Sequence, residues 1–130
     1  RRVGDALAEM EAGLPGEPPF DLVFLDADKG RMLDYVEALA RDDRILAPGG
    51  TIVVDNVLWK GGVLNQQGGM EKEEVEEEGA DPRARKLSRR AKKLAGAMHR
   101  FNAAVVEDKR LEVVLLPLRD GLSIIRKKII

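Results

Sequence analysis

The chain has no cysteine, one histidine and no apolar run approaching the roughly 20 residues of a membrane-spanning helix. The first absence excludes disulfide staples, zinc-thiolate sites and thiol nucleophiles together. It leaves packing to hold the fold and fits a reducing compartment, with the cytoplasm, or else an organelle, as the expected location. The single His99 falls mid-helix beside an apolar stripe, the place of a surface or boundary residue, so no histidine-based nucleophilic constellation is expected. Charge of one sign is also lacking: 22 Lys and Arg stand against 23 Asp and Glu, a net charge of -1. That balance gives no overall attraction to nucleic acid or to an anionic membrane, and neither is expected as a partner. The chain starts Arg1-Arg2-Val3-Gly4-Asp5, with neither an initiator Met nor the apolar stretch of a signal peptide, and reads as an excerpt or processed product.

What is present describes one ordinary globular core: 130 residues, 44% hydrophobic and 35% charged, expected as a single domain over 1–130. Val3, Leu7, Met10 and Leu14 have helical spacing, and the Gly- and Pro-rich segment 13–19 stops that helix. Residues 20–26 form an apolar run without alternation, which predicts an interior parallel strand covered on both faces. Leu33, Val36, Leu39 and Ala40 predict a helix within 31–46, closed by a loop at Ala47-Pro-Gly-Gly50, before a second strand at 51–54. Strand, helix and strand within this span make a βαβ unit and an α/β architecture.

Residues 60–82, with Gly61, Gly62, Gly68 and Gly69 and then six glutamates between Glu71 and Glu78, are expected to form a mobile charged loop. Leu87, Ala91, Leu94, Met98, Phe101 and Val105 predict a long helix over 83–108 whose apolar face packs on the sheet. Its basic start (Arg83, Arg85, Lys86, Arg89, Arg90, Lys92 and Lys93) reads as a solvated face offset by the upstream glutamates. Runs at 111–118 and 122–128 around Arg119-Asp120-Gly121 predict a closing antiparallel hairpin.

Both strands of the βαβ unit end abruptly in polar groups, Asp26 with Lys29 nearby, and Asp55-Asn56 with Trp59 nearby. Asp and Asn often end strands as turn formers, and either segment alone would be read that way. Together they deliver oxygen-rich side chains to the carboxyl ends of adjacent parallel strands, where open α/β sheets bind ligands, and such a set suits a hard divalent cation.

The segments Phe20-Asp-Leu-Val-Phe-Leu-Asp-Ala-Asp-Lys29, Pro48-Gly-Gly50, Val54-Asp-Asn-Val-Leu-Trp59, Phe101-Asn102, Asp108-Lys-Arg110 and Leu116-Pro-Leu-Arg-Asp-Gly-Leu122 resemble, in order, those of the cation-dependent O-methyltransferases of the caffeoyl-coenzyme A and catechol type. The resemblance implies a Rossmann-like class I methyltransferase sheet with helices on both faces, of which this chain holds the C-terminal half. It implies S-adenosylmethionine and a divalent cation (Mg or Ca) as cofactors and a phenolic, catechol-like or caffeoyl-type acceptor. It further implies Asp26, Asp55 and Asn56 as metal ligands, Lys29 as general base, Asp26 and Ala27 near the methionine part of the cofactor, and Trp59 at the acceptor pocket. Family members are commonly dimers, so a homodimer is the implied assembly.

Two departures stand out. The family usually has a Tyr three residues after the Lys, whereas this chain has Met32, with Tyr35 one turn on. Residues 1–19 also supply no first strand, Gly-rich turn or ribose-holding acid, so the 130 residues alone are expected to be inactive. A preceding segment or a second chain is then expected to cover the open edge of the 20–26 strand. The alternative reading is a non-catalytic methyltransferase-like subunit serving as a structural element of a larger assembly.

Overall fold

The computed structural model describes residues 1–64 and 81–129. The elements are helix α1 (Ala6–Glu11), strand β1 (Phe20–Leu25), a 3-10 turn (Lys29–Arg31), helix α2 (Met32–Arg41), strand β2 (Leu46–Asp55), helix α3 (Pro82–Glu107), and strands β3 (Leu111–Leu116) and β4 (Leu122–Lys127). The four strands form one mixed sheet in the order β1-β2-β4-β3. β1 runs parallel to β2, and β4 runs antiparallel to both β2 and β3. The α/β class and the closing hairpin are those the sequence predicts.

The core lies between the sheet and the helices. Ile52, Val54, Ile125 and Leu25 on the strands meet Met32, Val36 and Leu39 of α2 and Met98, Phe101 and Val105 of α3. Each side chain of this kind, fully withdrawn from water, contributes about 1.5–3 kcal/mol. Lys127 belongs to the same side of the sheet, and its buried ammonium donates to the carbonyls of Leu39 and Leu46 at 3.3 and 3.2 Å and pairs with Asp43 Oδ1 at 2.7 Å. Those bonds offset the desolvation of the charge and tie the end of β4 to the α2–β2 connection.

Three expectations are corrected. Among the described residues the helices cover one face of the sheet, and the row Phe24, Val53, Ile124, Val114 on the other face is not packed over: Phe24 is 59% and Val114 57% exposed. β1 has the open edge that the sequence predicts, but among the described residues it is covered on one face rather than both, with Leu22 63% exposed.

β2 begins at Leu46, since Ala47-Pro-Gly-Gly50 stays in the strand as an irregularity. Between the pairs Phe20↔Leu46 and Leu22↔Thr51 the chain advances two residues on β1 and five on β2. A side chain at Gly50 would place its Cβ 2.7 Å from Leu46 Cδ1, so glycine permits this doubling of the backbone. Finally, the apolar stripe of α3 packs only from Ala95 onward, residues 81–93 being exposed throughout.

Of the expected charged loop at 60–82, residues 65–80 lie outside the described residues. Residues 60–64 form a tight turn, and Asp81 caps α3 through a 3.1 Å bond from the Arg83 N–H.

Candidate functional site

Leu25↔Val54 is the last registered pair of β1 and β2, so Asp26 and Asp55 are the next residues on two adjacent parallel strands. Parallel pairing gives both strands the same direction and brings both acids to one end of the sheet. Asp28 then accepts from the Gly30 N–H at 2.9 Å, an Asx turn that starts the 3-10 turn and sends Lys29 back toward the strand ends. Lys29 Nζ lies 3.2 Å from Asp26 Oδ1 and donates to the Asp55 carbonyl at 3.0 Å. Its side chain is 11% exposed, whereas that of Asp26 is 58% exposed. The ammonium is therefore held against the sheet while the carboxylate faces solvent. Ala27 is exposed in the same connection.

The segment after β2 departs sharply from extended geometry. Asn56, Trp59 and Lys60 have φ of 60°, 47° and 52°. Asn tolerates this left-handed region, but Trp and Lys adopt it at a cost, and strain of this kind gathers at functional sites. Bonds from several directions hold it. The Asn56 N–H donates to Asp55 Oδ1 at 2.7 Å, Asn102 Nδ2 of α3 donates to the Val57 carbonyl at 2.8 Å, and the Leu58 N–H donates to the Asp120 carbonyl at 2.8 Å. Trp59 is half-buried and packs against the core cluster.

The sequence-predicted residues thus fall into two groups. Asp26, Lys29, Asp55 and Asn56 are brought to one end of β1 and β2, with Lys29 as the bridge. Ala27 and Trp59 flank them on the two connections. Tyr35 is buried, 5% exposed, with the Arg31 guanidinium 5.7 Å above its ring, and so belongs to the core.

Among the described residues no three His, Cys, Asp or Glu side chains gather where they could hold a metal ion. The set at issue has two carboxylates and one amide, all hard oxygen donors, and the Asn56 amide oxygen has no hydrogen-bond partner among the described residues. Its chemistry fits Mg²⁺ or Ca²⁺ rather than a soft metal.

Sequence reasoning missed two participants. Asp120 accepts from Asn56 Nδ2 at 3.3 Å, and Asn102 holds the loop as described, its Oδ1 buried without a partner among the described residues. Asp120 lies in a hairpin turn, and its Asp-Gly pair signals only that turn. No local pattern announces a bond spanning 64 positions.

The profile of a family described as O-methyltransferase matches residues 1–128. Tricin synthase 2 of Oryza sativa subsp. japonica is 33% identical over 121 residues, which is 93% of this chain and 35% of that protein. Catechol O-methyltransferase domain-containing protein 1 of Mus musculus is 33% identical over 120 residues, covering 92% and 34%. Among solved structures, the SAH-bound methyltransferase PaMTH1 of Podospora anserina aligns with a TM-score of 0.66 at 28% identity, over 92% of this chain and 46% of that one. The chain spans about a third of these curated relatives and about half of that solved chain.

Proposed function

We propose, from the premise that this chain belongs to the O-methyltransferase family, that the complete protein moves a methyl group from S-adenosylmethionine to a catechol-like or caffeoyl-type hydroxyl. The observation that carries this reading is the Lys29 ammonium bridging Asp26 Oδ1 and the Asp55 carbonyl at the ends of two parallel strands. Lys29 Nζ in its neutral form takes the proton of the acceptor hydroxyl. S-adenosylmethionine, when bound beside Asp26 and Ala27, would supply the methyl group to that oxygen, its sulfur keeping the electron pair of the bond that breaks. Asp26, Asp55 and Asn56 would hold a divalent cation, which would stabilise negative charge on the acceptor oxygen and fix its position.

Asp26 and Ala27 border the methionine part of the cofactor in this reading, and the Trp59 indole covers one side of a flat acceptor ring. The strained turn at Asn56–Lys60 supports the assignment, since its bonds to α3 and to the β3–β4 hairpin hold Trp59 in one place.

The proposed partner of β1 is a preceding segment or a second chain that adds a strand to its open edge and apolar side chains over Phe24 and Val114. The exposure of that face supports it. The same exposure favours a second reading, a non-catalytic subunit whose bare face docks into a larger assembly.

Calorimetric titration of S-adenosylmethionine and Mg²⁺ into the 130-residue chain and into the complete protein separates the two. Binding by the complete protein supports the enzyme, and its absence there supports the structural subunit. In the complete protein Lys29→Met is expected to lower kcat by about 10²–10⁴-fold with S-adenosylmethionine affinity retained. An unchanged kcat would remove Lys29 from the chemistry.

A further inference from the structure

The β3–β4 hairpin does more than close the sheet. Its turn, closed by the Gly121 N–H donating to the Leu118 carbonyl at 2.8 Å, folds back on the segment after β2: the Leu58 N–H donates to the Asp120 carbonyl at 2.8 Å and the Val57 N–H to the Gly121 carbonyl at 3.3 Å. Gly121 has φ 85°, and a Cβ there would lie 2.5 Å from Leu58 Cγ, so only glycine allows so close an approach. The contact carries the Asp120 side chain to Asn56, with Oδ2 at 3.3 Å from Nδ2.

We propose that Asp120 is a positioning residue that fixes the Asn56 carboxamide with its NH2 toward the hairpin and its oxygen left for a cation. This rests on the reading of Asp26, Asp55 and Asn56 as a divalent-cation site. The two limbs of a carboxamide have nearly the same shape, and nothing in their size decides which one a cation meets. An ionised carboxylate decides it, because it only accepts hydrogen bonds and so selects the NH2. Without it, half-turns of the amide would present N–H donors to the cation, which repel it. Groups that orient a ligand in this way typically change metal affinity by about 10–100-fold when removed.

Two measurements on the complete protein test the assignment. Without metal, the side-chain NH2 signals of Asn56, identified by their loss in Asn56→Asp, should shift in a ¹⁵N-edited spectrum of Asp120→Ala. Unchanged signals would overturn the proposal.

With Mg²⁺ titrated alone, Asp120→Ala should weaken binding by about 10–100-fold. Asp120→Asn, which keeps the shape and the backbone bonds of the turn, should weaken it less, since its amide oxygen still accepts from Nδ2. In an Asn56→Asp background the ligand has oxygen on both limbs and needs no orientation. There Asp120→Ala should leave Mg²⁺ affinity unchanged or tighten it as a like charge is removed. Equal weakening in both backgrounds would mean that Asp120 merely supports the loop, and the proposal would fall. If the wild-type protein binds Mg²⁺ and Asp120→Ala binds it as well, this proposal fails and the functional reading stands. If the wild-type protein binds no divalent cation, the cation reading fails and takes the proposal with it.

Discussion

Two adjacent rows of side chains cross the same four strands, one residue apart on each. Val23, Ile52, Ile125 and Val113 form one; Phe24, Val53, Ile124 and Val114 form the other. Both are apolar throughout, yet Ile52 and Ile125 are fully buried while Phe24 and Val114 are more than half exposed. Successive side chains on a strand point to opposite faces, so the difference is which face the helices occupy. Hydrophobic residues show that a face is built for cover. They do not say whether the cover belongs to the same stretch of chain.

Neighbouring isoleucines put the comparison at its sharpest. Ile125→Ala is expected to cost about 2–5 kcal/mol in denaturant unfolding, through lost burial and the cavity left behind. Ile124→Ala, one residue away on the other face, should cost well under half as much in the 130-residue chain. Equal losses would mean that the second face is covered after all. A larger loss for Ile124→Ala in the complete protein would show that a partner lies there.

The same contrast runs along α3. Met98, fully buried, should lose about 2–5 kcal/mol on truncation to Ala, whereas Leu87, 68% exposed on the same stripe, should change stability by no more than about 0.5 kcal/mol. A substantial loss at Leu87 in the chain alone would contradict the free-standing first half of the helix.

The smallest effect concerns how firmly α1 joins the covered side. Asp5 caps α1 and bonds the Arg31 guanidinium at 2.9 Å, and that bond with the cap pulls its carboxyl from the ordinary 3.8 to about 2. A lowered folded-state value stabilises the fold above the ordinary carboxyl range, and the contribution is lost as pH falls through about 2. The stability difference between the wild type and Asp5→Asn, followed by circular dichroism, should therefore shrink as pH drops from 3.8 toward 2. A difference that stays constant over that window would remove the ion pair as its source.

Legibility in the sequence followed the range of the interaction. The βαβ unit, the hairpin and the pairing of Asp26 with Asp55 could be read because each follows from a local pattern and parallel pairing. The placement of Lys29 beside both strand ends follows from three residues of chain and one Asx turn. The open edge of β1 could be read, but its bare face could not, because an uncovered apolar strand and a buried one have the same composition. Ala47-Pro-Gly-Gly50 has the composition of a loop because its residues break regular pairing, but β1 and β2 continue around them with an irregular register. Asp120 was invisible as a site residue because its partner lies 64 positions away.

By itself, the order of residues determined the strand and helix types, the oxygen-rich ends of two strands and the absence of thiol chemistry, since these depend on side-chain type and on spacing within a few turns of chain. Tertiary structure alone decided which sheet face the helices would cover, where β2 would begin, and which carboxylate would meet the Asn56 amide. Those outcomes depend on contacts between distant segments, where packing and hydrogen-bond geometry select one arrangement among many that the same local patterns allow.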